Sequence, residues 1–182
     1  MPGKNANLAD SNFAHYFRES LSVVTNKVLT AGRDGNVRLL LYEPPVKLER
    51  KSGNALFMAI TQSYEIVPFE KEFKAKTTSY TYEPLGQGDQ GLETIVEFHW
   101  HPGQTTNLKW PHLHVKANGV DGGLGRVHFP TGRFAIEDYL KLLIRDFGVK
   151  PRLPYEQWKE ILTRNKREFS ASASWLYWKP LI

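Results

Sequence analysis

The chain of 182 residues has no cysteine, 41% hydrophobic residues and a formal net charge of +5. This length suits one domain with a core of its own, the apolar content excludes disorder for want of a core, and the missing thiols exclude disulfides and cysteine-ligated metals. No apolar run reaches the roughly 18 residues that span a bilayer, and the positive balance suits an anionic partner such as nucleic acid; a cytoplasmic protein without a signal peptide is expected.

Residues 1–10 read as a flexible tail and residues 11–182 as a single domain. Phe13, Phe17, Leu21, Val24 and Val28 form one stripe at helical spacing, which predicts a helix over 12–30. Gly32 and Asp34-Gly35 stop it. Val37 to Tyr42 is an apolar run suited to a buried strand, closed by Pro44-Pro45, and 46–54 read as a polar loop. Segments 55–61 and 64–67 have strand character. From Phe73 the pattern becomes a series of strands: Phe73–Tyr82, rich in Thr and Tyr, then Leu92–His101, Trp110–Ala117 and Arg126–Phe129. The glycine-rich segments Pro84–Gly91 and Asn118–Gly125 separate them.

Pro130-Thr131-Gly132-Arg133 leads into a helix whose inner face carries Ile136, Tyr139, Leu140, Leu143, Ile144 and Phe147. Glu137 and Asp138 stand in its first turn, where the helix dipole favours them, and Gly148 ends it. Pro154 opens a second helix with Trp158, Ile161, Leu162 and Phe169 inward. The layout is an α+β domain, an antiparallel meander with helices packed on one face.

Alternation along the strands sorts the histidines. Side chains of successive strand residues point to opposite faces. If Leu92, Thr94, Val96, Phe98 and Trp100 face the helices, then Glu93, Ile95, Glu97, His99 and His101 face away. Leu113 and Val115 inward put His112, His114 and Lys116 outward. Val127 and Phe129 inward put Arg126 and His128 outward. Symmetric hairpin closure sets His99 opposite His112, Glu97 opposite His114, His114 opposite His128 and Lys116 opposite Arg126. Opposed residues have Cβ atoms about 4.5–5.5 Å apart, so five of the six histidines gather on one face. The preceding strand offers Lys74, Lys76, Tyr80 and Tyr82 to the same face.

Three chemistries suit such a face. The first is metal-independent phosphodiester cleavage, with two of His99, His101, His112, His114 and His128 as acid and base near neutral pH. Lys116 and Arg126 then stabilise phosphate charge, and Thr131 with Arg133 hold a phosphate ahead of the helix. This reading needs no cofactor. The second is a zinc or iron site, because His-x-His supplies two ligands on one face and a neighbouring strand the third, drawn from His99, His101, His112 and His114. The run His99-Trp100-His101-Pro102-Gly103 resembles the first cupin motif, although Gln104-Thr105-Thr106-Asn107 stands where that motif carries its glutamate. The third is binding of RNA without cleavage, by charge and by stacking, with Tyr80, Tyr82, Trp100 and Trp110 nearby, although Trp100 shares a face with Val96 and Phe98 and reads as core.

The segment from Phe73 to Phe147 also resembles small bacterial proteins distantly similar to the TumE-type toxins of toxin–antitoxin modules. The resemblance is carried by Glu97-Phe98-His99-Trp100-His101-Pro102, by Trp110-Pro111-His112-Leu113-His114, and by His128-Phe129-Pro130-Thr131-Gly132-Arg133 ahead of the Glu137-Asp138 helix. It implies an endoribonuclease toxin neutralised by a protein antitoxin, with His101, His112 and His114 at the matching positions. From sequence, then, the favoured expectation is an RNA-acting hydrolase.

Overall fold

The structure, a computed structural model, describes residues 2–51, 53–102, 109–116 and 127–172. Among these, the strands form one antiparallel sheet: β1 (Pro2–Gly3), β2 (Thr30–Asp34), β3 (Val37–Leu48), β4 (Leu56–Phe69), β5 (Glu72–Gly88), β6 (Gly91–Thr94), β7 (Val96–Trp100), β8 (His112–Val115) and β9 (Phe129–Pro130). The spatial order is β2-β3-β4-β5-β7-β8-β9, with β1 and β6 also paired to β5. Three helices, α1 (Ala6–Ser22), α2 (Ile136–Arg145) and α3 (Tyr155–Ser172), complete an α+β architecture.

The helices lie on one face because one side of each central strand is aromatic and aliphatic. Ile60, Tyr64, Tyr80, Tyr82, Phe98 and Trp100 are all buried there. Phe13 of α1 meets Tyr64 at 4.4 Å between ring centres, and Tyr139 of α2 meets Tyr82 at 5.4 Å. Tyr16 of α1 stacks on Phe169 of α3 at 5.8 Å. Several polar groups sealed under the helices are paired: Ser20 donates to Glu137, and Asn165 donates to Ser20 and Glu19, while Glu137 Oε2 and the Tyr139 hydroxyl have no hydrogen-bond partner among the described residues.

The N-terminal half departs from the sequence reading. Residues 2–10, expected as a flexible tail, enter the sheet edge at Pro2–Gly3 and begin α1 at Ala6. The Asn5 side chain accepts from the Leu8 amide and caps that helix earlier than the apolar stripe suggests. The helix also stops at Ser22 rather than near residue 30, which leaves Val28 89% exposed. The segment 46–54 is in part strand, because β3 continues to Leu48 across a break in register between Tyr42 and Val46. The strand segments 55–61 and 64–67 are one continuous β4, and β5 runs on through Pro84 to Gly88.

Candidate metal centre

β7 and β8 pair with His99 opposite His112 and Glu97 opposite His114, as symmetric closure of the hairpin predicts. Phe98 pairs with Tyr82 and with Leu113 on the helix side, so parity sends His99, His112 and His114 to the other face. His112 and His114 are buried at 4% and 8% exposure although no helix of the described residues covers that face. The imidazoles pack on one another: His99 lies 4.1 Å from His112 and 4.7 Å from His114, ring centre to ring centre.

Their nitrogens converge. His99 Nε2 is in contact with His112 Nε2, and His114 Nε2 lies 3.3 Å from His99 Nε2. The other ring nitrogens fix the tautomers. Nδ1–H of His99 donates to Glu97 Oε1 at 3.0 Å, and Nδ1–H of His112 donates to the Trp110 carbonyl at 2.9 Å. An ionised carboxylate and a carbonyl can only accept, so Nδ1 carries the proton in both rings. In a neutral ring the lone pair then sits on Nε2, aimed into the cluster. Two such lone pairs in contact have no proton between them, and His114 Nε2, on a ring whose buried Nδ1 has no hydrogen-bond partner among the described residues, stands beside them. Tetrahedral ligands about 2.0–2.1 Å from a zinc ion stand about 3.3 Å apart, which matches the His99–His114 separation.

Burial favours the neutral form of three of the rings, His101, His112 and His114. The His99 ring and the cations nearby hold the Glu97 carboxyl down at about 2, so it stays an acceptor. Burial pulls His114 down to about 4, and the neighbouring His99 and His128 add to this. Burial likewise lowers His112 and His101. Lys116 stands behind Glu97, with Nζ 3.5 Å from Oε2. Glu97 is the residue sequence reasoning passed over: its parity, two residues before His99, placed it on the face, but no role was assigned.

The remaining expected site residues divide. His128 joins the cluster, 4.3 Å from His114 and 4.8 Å from His112 between ring centres, and it is exposed at the rim. His101 flanks His99 at 5.4 Å and shares a 2.9 Å hydrogen bond with Thr81 Oγ1. Arg133 is on the helix side, its guanidinium 4.1 Å above the Trp100 ring, so it does not face the histidines. Thr131 contributes through its backbone, which donates to the Pro111 carbonyl; the helix N-cap is Ala135, and neither Thr131 nor Arg133 caps it. Arg126 lies outside the described residues.

Two expectations about the face are corrected. Tyr80 and Tyr82 are buried against the helices and offer no stacking platform, whereas Trp110 is 36% exposed; Trp100 is buried with Phe98, as its shared face predicts. Val127 and Phe129, expected inward, are 39% and 38% exposed, because β9 spans only two residues at the end of the sheet. The strand expected over 92–101 is also broken. Ile95 donates to the Pro84 carbonyl as an extra residue between β6 and β7, and pairing shifts from Phe98–Tyr82 to Thr94–Leu85. Such a bulge reverses parity, so the alternation reaches the histidines but not Leu92 and Thr94.

Compared with protein-family models, curated proteins and solved structures, the chain matches none. The likeness to TumE-type toxins therefore rests on the quoted motifs alone.

Proposed function

We propose that the protein binds one divalent transition-metal ion, zinc in preference to iron, through Nε2 of His99, His112 and His114, as a hydrolytic centre. The observation that carries this is the convergence of three Nε2 atoms whose Nδ1 partners, Glu97 and the Trp110 carbonyl, orient two of the rings. A carboxylate or carbonyl behind a ligating imidazole is the usual support of a metal site. Among the described residues this is the group of three ligand atoms gathered closely enough for an ion, all within 4.8 Å of one another. The nearest carboxylate is spent on Nδ1 of His99, which leaves an all-nitrogen set. That set fits a three-histidine zinc centre better than the two-histidine, one-carboxylate set of non-haem iron.

Three protein ligands leave a fourth position for water or substrate, and an ion so held brings the pKa of coordinated water toward 7. His128 and His101 flank the centre within reach of a proton-transfer role. Cleavage by free histidines is less well supported, since it needs one protonated imidazole at neutral pH and burial disfavours that form for three of the five. RNA stays the first substrate to assay, on the net charge of +5 and the ammonium of Lys116 beside the cluster.

The test is metal analysis of protein purified without chelator, then zinc titration of chelator-treated protein. The expected result is about one ion per chain, lost in a His99→Ala/His112→Ala/His114→Ala variant that keeps its far-ultraviolet circular dichroism. Equal stoichiometry in that variant, or a folded wild-type protein that takes up no zinc, would overturn the proposal.

A further inference from the structure

A groove of about 720 Å³ lies in the helix layer, across the sheet from the histidines. Lys51, Lys141, Arg145 and Lys159 line it, with Tyr155 and Trp158, and no acidic side chain does. Two other cations of α3 are paired: Arg164 with Glu19, and Lys166 with Asp138. The neighbouring groove on α3 mixes Glu156 and Glu160 with Lys159, Arg164 and Arg167. Lys51, Lys141 and Arg145, by contrast, form no ion pair among the described residues. Lys141 and Arg145 are four residues apart on α2, where like charges repel. These three cations, gathered in a concavity with Lys159 at the edge it shares with Glu156 and Glu160, are a stored attraction for a polyanion, repaid when condensed counterions are released.

The aromatic residues narrow the class. Tyr155 is 57% exposed at the mouth, braced edge-on by Trp158 at 5.4 Å between ring centres. An exposed, braced tyrosine beside a basic track is the arrangement on which single-stranded bases stack. A duplex buries its bases, and a flat anionic bilayer does not follow a concavity. We infer that the groove between α2 and α3 binds single-stranded nucleic acid, with phosphates on Lys51, Lys141, Arg145 and Lys159 and a base on Tyr155. This inference is independent of the metal centre.

The experiment is fluorescence anisotropy of the full chain with a labelled RNA of roughly ten uridines, repeated with the matching DNA. Four phosphate contacts on a single strand predict an affinity about 50-fold weaker at about 200 mM salt than at about 50 mM. Lys141→Glu with Arg145→Glu should weaken binding by more than about tenfold, since each replaced contact becomes a repulsion. Tyr155→Ala should weaken it by about fivefold or more, and Arg167→Glu, outside the groove, by less than about twofold on the same scale. If the double variant fails to fold, Lys51→Glu takes its place. Binding should persist in the triple-histidine variant and in chelator, so failure here and failure of the metal centre are separable. No binding of either oligonucleotide at low salt, undiminished binding by the charge-reversed variant, or sedimentation with phosphatidylserine vesicles in place of oligonucleotide binding would overturn the inference.

Discussion

Glu97 is the residue on which the metal centre leans most without touching the metal. It holds the His99 proton on Nδ1 and is itself held ionised by His99 and Lys116. Glu97→Gln should keep the fold and weaken zinc affinity by about 10–100-fold, as read by competition with a chromophoric chelator. His114 gives a second prediction at this scale. Its folded pKa of about 4 lies below its unfolded value near 6.5. Between these values the unfolded chain binds the extra proton, so stability rises with pH and falls on acidification. Metal-free protein should therefore lose thermal stability as pH drops from about 6.5 toward 4.5, before the depressed Glu97 carboxyl begins to titrate. His114→Asn should show a shallower slope in that window, and an equal slope would refute the assignment. Added zinc should steepen the dependence, since protons compete with the ion for the same nitrogens.

At the scale of elements, the sequence was most legible where one period ran without interruption. The apolar stripe of α2 and the alternation of β7 and β8 each had that property, and both the inner residues of α2 and the His99–His112 register follow from them. It was least legible where a backbone event reset the count. The extra residue at Ile95 is one such event, and the break between Tyr42 and Val46 in β3 is another. The first leaves no sequence mark, because a bulge depends on what the neighbouring strand offers; the second falls on Pro44-Pro45, which reads as the end of a strand rather than a break within one. The Asn5 cap was readable in principle, as an Asn ahead of a helix-compatible stretch, but the aromatic stripe further on drew the boundary away from it. Three stability predictions belong here. Leu140 is fully buried, and Leu140→Ala should cost about 2–5 kcal/mol in chemical denaturation. Leu113 is only partly buried, so Leu113→Ala should cost less than Leu140→Ala. Gly148 follows α2 at φ 69°, where a Cβ is strained though nothing crowds it, and Gly148→Ala should cost about 1 kcal/mol.

For the whole molecule, the sheet separates two chemistries. One face is sealed by three helices, and its opposite carries the imidazole cluster near the β9 end. The basic groove sits in the helix layer. No helix of the described residues is long and apolar enough to cross a membrane. Strand parity foretold that His99, His112 and His114 would meet on one face, but not that His112 and His114 would be buried there, since burial depends on how closely imidazoles pack together. The groove was beyond the sequence for a different reason: Lys51 and Lys141 become neighbours only when the β3–β4 connection and α2 are brought together by packing.

The sheet also tapers. β4 and β5 run 14 and 17 residues, whereas β8 has four and β9 two. Backbone pairing alone holds that narrow end weakly, and two of the three converging imidazoles belong to it. An ion shared between β7 and β8 would rivet the frayed margin to the broad part of the sheet. Amide hydrogen exchange should accordingly slow at residues 112–115 when zinc is supplied, while the amides of β3 and β4 keep their rates.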